Sequence, residues 1–157
     1  MTNSVILPDL LKLTGAAVAP VESILETAIA RVKDTVSENG RVSGKLMEQH
    51  QTAAHGLSWL ATYAQSLNQM QAWAEKLDGE GKFGEIEQII HQIAFGEYLW
   101  QVYGGIPMSQ GEIVRLQDLG LSQDETRGLM APEVMTLCDK AHVHRRRGPR
   151  RDPGEYP

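Results

Sequence analysis

Residues 43–77 read SGKLMEQHQTAAHGLSWLATYAQSLNQMQAWAEKL and contain no proline. Leu46, Ala53, Leu57, Leu60, Ala64, Leu67, Trp73 and Leu77 recur at spacings that a helix gathers near one stripe. A single helix over this stretch would reach roughly 50 Å at 1.5 Å per residue, longer than most globular helices. Such a helix needs packing partners along its whole length.

The flanking sequence supplies them. Residues 20–38 place Val21, Ile24, Leu25, Ala28, Val32 and Val36 at helical spacings, leave Glu22, Glu26, Arg31, Lys33 and Asp34 on the other faces, and stop at Asn39-Gly40. On the other side, Asp78-Gly79-Glu80-Gly81 breaks the long helix. Phe83, Ile86, Ile89, Ile90, Ile93, Leu99, Trp100 and Tyr103 then mark a third, ending at Gly104-Gly105-Ile106-Pro107. Two capping boxes follow. Ser109 with Glu112 predicts a short helix through Leu116, closed by Gly120, and Ser122 with Glu125 predicts another carrying Leu129. Pro132 suits the first turn of a last short helix through Val134, Met135, Leu137 and Cys138. With no alternating strand pattern and no internal repeat, the expected fold is all-α. It is an up-and-down bundle of three long helices, plus short C-terminal helices and a disordered basic tail.

The 157 residues are 41% apolar and 22% charged, an ordinary globular composition with room for one domain. The net charge of −5 conceals two different polymers. Up to Asp139 there are 18 acidic and 9 basic residues, net −9, whereas from Lys140 there are 6 basic and 2 acidic, net +4. The expected division is therefore a helical domain over 1–139 and an Arg/Pro-rich tail over 140–157. One cysteine, Cys138, excludes an intramolecular disulfide and a multi-cysteine zinc site, and fits a reducing cytoplasm. Val5-Ile6-Leu7 before Ala17-Val18-Ala19 is not expected to act as a signal peptide, because no basic residue precedes it and Pro8, Asp9 and Lys12 interrupt it. No membrane partner is expected.

Chemistry-bearing constellations are sparse. The di-iron bundle pattern needs Glu and His three apart on two helices. Here Glu87 and His91 are four apart, and His50 and His55 have no matching carboxylate, so solvent-facing or partly buried histidines are the simpler reading and no metal is expected. Cys138 sits in an apolar run with no histidine placed to activate it. Gly79-x-Gly81-x-x-Gly84 follows a helix rather than a strand, so it reads as a turn and not as a dinucleotide loop. The Arg145–Arg151 cluster lacks interleaved aromatics and follows an acidic body, which argues against nucleic acid. No catalytic, cofactor-binding or metal-binding residue is expected.

A more specific signal lies within residues 85–121, where Glu85 to Arg115 reads EIEQIIHQIAFGEYLWQVYGGIPMSQGEIVR. This stretch resembles the N-terminal helical extension of the methylsuccinyl-CoA dehydrogenases of the ethylmalonyl-CoA pathway, a flavin-dependent acyl-CoA dehydrogenase subgroup. The resemblance runs from about Leu10, through Gly40-Arg41-Val42 and the helix of Trp59 and Trp73, to Ala131-Pro132-Glu133-Val134-Met135. It implies a larger body of two helical domains and a β domain holding FAD and the acyl-CoA thioester. There a glutamate takes the α-proton while the flavin accepts the β-hydride. No residue here matches that base or the FAD-binding loops, so the chain is expected to be inert alone, with FAD belonging to the full-length family. Near residue 142 the sequence turns to arginine, proline and glycine, the residues of GC-rich codons, which suggests a truncated or frame-shifted product. The expected interface left open toward the missing body comprises Trp100, Tyr103, Ile106, Met108, Val134 and Leu137. Its occupant is expected to be the remainder of the dehydrogenase or a second copy. The alternative function is a free-standing helical-bundle interaction module docking through Trp100 to Met108.

Overall fold

The computed structural model describes residues 5–141. Three long helices dominate: α1 (Leu10–Val36), α3 (Gln51–Gly79) and α4 (Glu85–Gly104). A short α2 (Gly44–Gln49) precedes α3, and α5 (Pro132–Lys140) closes the described chain. Two-residue strands form two antiparallel hairpins, β1 (Ser37–Glu38) with β2 (Arg41–Val42), and β3 (Ile106–Pro107) with β4 (Ile113–Val114). The all-α reading holds, with these hairpins as small additions it did not foresee.

Cross-contacts set the direction of each helix. Thr14 on α1 meets Gln71 on α3 while Glu22 meets Asn68, so the two run antiparallel. The Tyr63 hydroxyl donates to Gln101 Oε1 and Trp73 packs edge-on to Phe83, so α3 and α4 are antiparallel as well. Between them lie Val21, Ile24 and Ala28 of α1, Leu60, Ala64 and Leu67 of α3, and Phe95, Leu99 and Val102 of α4, all buried. Val134, Leu137 and Cys138 of α5 complete this core.

The helix expected over 20–38 starts ten residues earlier, and Pro20 lies inside it. Proline supplies no N–H to the carbonyl four residues before it, at a cost of about 3 kcal/mol in a helix interior. Leu10, Thr14, Ala17 and Val18 continue the buried stripe on the N-terminal side of Pro20. Their packing holds the helix through the break, because tertiary burial outweighs propensity. α1 has the length and hydropathy to cross a membrane, but here its stripe faces the bundle.

The helix expected over 43–77 is interrupted at His50, whose backbone leaves the helical region at φ −115° and ψ 34°. No residue of α2 is buried, so packing does not hold that turn in line with α3. The third helix, expected over 83–103, is observed at Glu85–Gly104. Asn39 and Gly40, both at positive φ, form the two-residue turn of the first hairpin and end α1 at Val36. The Ser122–Glu125 box is present: the Ser122 N–H donates to Glu125 Oε2 at 2.8 Å and the Glu125 N–H donates to Ser122 Oγ at 3.2 Å. It opens a 3-10 turn, Glu125–Met130. Pro132 stands in the first turn of α5 as expected.

The box expected at Ser109 and Glu112 does not open a helix. Ser109–Gly111 is one 3-10 turn, after which the chain extends so that Ile106 pairs with Val114. That pairing buries both side chains, which a helix beginning at Ser109 would have separated. The short helix foreseen through Leu116 reduces to the 3-10 turn Leu116–Leu119, closed by Gly120 at positive φ. α5 runs through Lys140 and Ala141 is fully buried, so the folded part reaches two residues past the boundary foreseen at 139. The basic tail expected over 140–157 lies, from residue 142, outside the described residues.

Candidate functional site

The six residues expected to form one open interface divide in two. Ile106, Val134 and Leu137 are buried in the chain's own core, Ile106 through the β3–β4 hairpin and the other two where α5 packs on α4 and α1. Met108 is half-buried against the same core. Only Trp100 and Tyr103, on the last turns of α4, face outward, and their rings stack with centroids 5.9 Å apart. The expected patch loses its C-terminal half because α5 turns Val134 and Leu137 inward against α4 and α1. Sequence periodicity marks Val134 and Leu137 as apolar but cannot say which surface they cover.

Tyr103 also lines an open depression of about 770 Å³ with Leu116, Gln117, Arg127, Leu129 and Met130. The nearby cations are already partnered: Arg127 pairs with Asp124 at 2.6 Å, and Arg31 pairs with Glu125 at 2.6 Å. The Ser122 backbone N–H and the Arg31 side chain hold the Glu125 carboxyl down to about 2, so this ion pair persists through the physiological range. Gly79-x-Gly81-x-x-Gly84 joins α3 to α4 directly, with Gly81 at positive φ and Gly84 capping α4. Without a preceding strand the string lacks the strand–turn–helix context of a dinucleotide loop.

Among the described residues, no three of His, Cys, Asp or Glu converge as metal ligands. His50 and His55 are exposed, and His55 Nε2 accepts from the Trp59 indole N–H at 3.0 Å. Burial pushes the Cys138 thiol up to about 11, which removes its thiolate at neutral pH. Glu87 and His91, compared in the sequence as a ligand pair, have different surroundings: Glu87 reaches back toward Gly84 and His91 is in the core.

What sequence reasoning missed is a buried polar seam around His91. Its Nε2 lies 3.0 Å from Thr14 Oγ1, which lies 2.7 Å from Gln71 Oε1. The Gln71 amide donates to the Leu11 carbonyl at 3.1 Å and to Glu75 at 2.8 Å, so its oxygen is an acceptor, as is the Leu10 carbonyl 2.9 Å from Thr14 Oγ1, and the one Thr14 proton is spent on these acceptors. His91 then donates from Nε2, and its Nδ1 is a buried lone pair with no hydrogen-bond partner. Phe83 and Phe95 flank the ring. The seam ties α1, α3 and α4 at one register. A second tie comes from Gln92, which accepts from the Leu7 N–H at 2.7 Å and donates to the Val5 carbonyl at 3.2 Å.

Burial holds the His91 imidazole down to about 4, with Glu75 opposing weakly. The unfolded chain binds this proton near 6.5 and the folded chain only near 4, so this contribution is whole above pH 6.5 and is lost as pH falls toward 4. The loss is about 3 kcal/mol over that window. Urea unfolding at pH 7 and pH 4.5 should show a larger drop in midpoint for the native chain than for His91→Gln. An equal drop in both would remove His91 as the cause.

No established family profile matches the chain. Over 121 residues it is 55% identical to the (2S)-methylsuccinyl-CoA dehydrogenase of Cereibacter sphaeroides. That match covers 77% of this chain and 22% of the relative, so the chain spans about a fifth of the protein it resembles. At this identity the two segments share ancestry and fold, and over them the chain is related to an acyl-CoA dehydrogenase-like protein, methylsuccinyl-CoA dehydrogenase.

Proposed function

We propose that this helical body is the N-terminal module of a flavin-dependent methylsuccinyl-CoA dehydrogenase-like protein and performs no redox step by itself. The 55% identity over 121 residues carries this reading. The chemistry of the described residues supports it: the one thiol is buried, the arginines near the depression are ion-paired, and the glycine string joins two helices. FAD and the acyl-CoA thioester would be held by the remaining four-fifths of such a protein. The module's contribution is structural: it presents the Trp100–Tyr103 shelf to that body and holds the shelf rigid through the α3–α4 pair. A buried, unactivated cysteine suits a cytoplasmic enzyme.

The purified chain, mixed with FAD, methylsuccinyl-CoA and an artificial electron acceptor, is expected to bind no stoichiometric flavin and to show no acyl-CoA-dependent reduction. Bound flavin or turnover above the protein-free control would reject the reading and require a site within this chain.

A further inference from the structure

Helix α4 is apolar on two opposite sides. One side, with His91, Phe95, Leu99 and Val102, is buried in the bundle. On the other, Ile86, Ile90, Ile93, Glu97 and Trp100 follow one another at four- and three-residue steps, which at 100° per residue keeps them within one stripe about 20 Å long. Ile86 is 68% exposed, Ile90 57% and Trp100 47%, and Tyr103 extends the stripe through its ring stack with Trp100. Apart from Glu97, this outward stripe is apolar, and a helix with apolar stripes on two sides suits an interior with partners on both. This one has a partner on one.

We propose that the outward face of α4, formed by Ile86, Ile90, Ile93 and Trp100, packs against the portion of a methylsuccinyl-CoA dehydrogenase-like protein that lies outside the matched segment. The inference rests on the proposed function and adds the face by which the module docks. Three observations select this occupant over a second copy. The open apolar area is on the order of 400 Å², the size at which such a patch marks an interaction site. Paired with itself it would bury about 800 Å² in total, short of the roughly 1,200 Å² that stable separate partners need, but within the 600–1,500 Å² usual between domains of one protein. Each chain also carries net −5, so two copies bring like net charges together, as would an anionic membrane surface. Finally, 78% of the relative's length is unmatched by this chain, ample to supply an apolar counterface.

The test uses the intact Cereibacter sphaeroides dehydrogenase with its matched segment replaced by this chain's residues. The photo-crosslinking residue p-benzoylphenylalanine is placed in turn at Ile90, at Tyr103 and, as an exposed control on α1, at Ala19. Mass spectrometry should find the Ile90 probe joined to residues outside the segment, within one polypeptide, with at least tenfold the yield of the Ala19 probe. The isolated chain should sediment as a monomer. Crosslinks between two copies, or an isolated chain that dimerises and ceases to do so on Ile90→Glu, would assign the face to a second copy and overturn the proposal. Crosslinking from Tyr103 but not from Ile90 would reject this face while leaving the proposed function standing. Crosslinking from neither, in a replacement enzyme that has lost its flavin-dependent turnover, would reject both.

Discussion

Replacing Phe95 by alanine is expected to lower the melting temperature by roughly 10–15 °C. Phe95 is fully buried on the inner face of α4, and its ring lies 4.7 Å from that of His91. Removing a buried phenylalanine ring costs about 3–5 kcal/mol, the lost transfer energy plus the cavity that remains. In a chain of this size each kcal/mol moves the midpoint by about 2–4 °C. Collapse around the void is opposed from three sides, because the seam of His91, Thr14 and Gln71 fixes the neighbouring helices at one register. Calorimetry at neutral pH measures the effect directly. A fall below about 4 °C would mean that the site repacks and that the polar seam does not hold the helices in register.

The second large effect concerns Gly96→Val. Glycine inside a helix is disfavoured by about 1 kcal/mol relative to alanine, so propensity alone predicts that a side chain here stabilises. Tertiary contact reverses the sign. A Cβ at Gly96 would stand 2.5 Å from Ala141 Cβ and 3.1 Å from the Leu137 carbonyl oxygen, both close to or part of the α5 backbone. Neither is the movable end of a long side chain, so α5 must shift as a body. Overpacking of this kind costs about 1–3 kcal/mol, and the upper end is expected because Val134, Leu137 and Cys138 lose contact together. Urea unfolding should show the loss of stability, and amide exchange in Val134–Lys140 should accelerate more than in α3. A variant as stable as the native chain, with unchanged exchange, would show that α5 does not lie in the groove at Gly96.

The helical class, the turn at Asn39-Gly40, the Ser122–Glu125 box and the start of α5 at Pro132 were all legible in the sequence. Each rests on a local rule, a spacing or a capping pattern that needs no knowledge of the neighbouring helix. The relationship to methylsuccinyl-CoA dehydrogenase was likewise written in the residues of α4 and the segment after it. Where local rules failed, a contact distant in sequence had decided. Pro20 reads as a helix start, yet it lies within α1 because Thr14 reaches residues 57 and 77 positions away in α3 and α4. Ser109 reads as a helix cap, yet Ile106 and Val114 are buried together only if the chain between them turns back as a hairpin. Ile86 and Ile90 mark the third helix by their spacing but not which side of it is covered; the bundle fills from the His91–Phe95 side and leaves them outside. Val134 and Leu137 are apolar on either account. Only the path of the chain after Met108 determines that they seal α4 and α1 from within, while Trp100 and Tyr103 remain open. The hydrophobic pattern sets how much apolar surface must be covered, and the tertiary arrangement sets which side of each helix this chain covers itself.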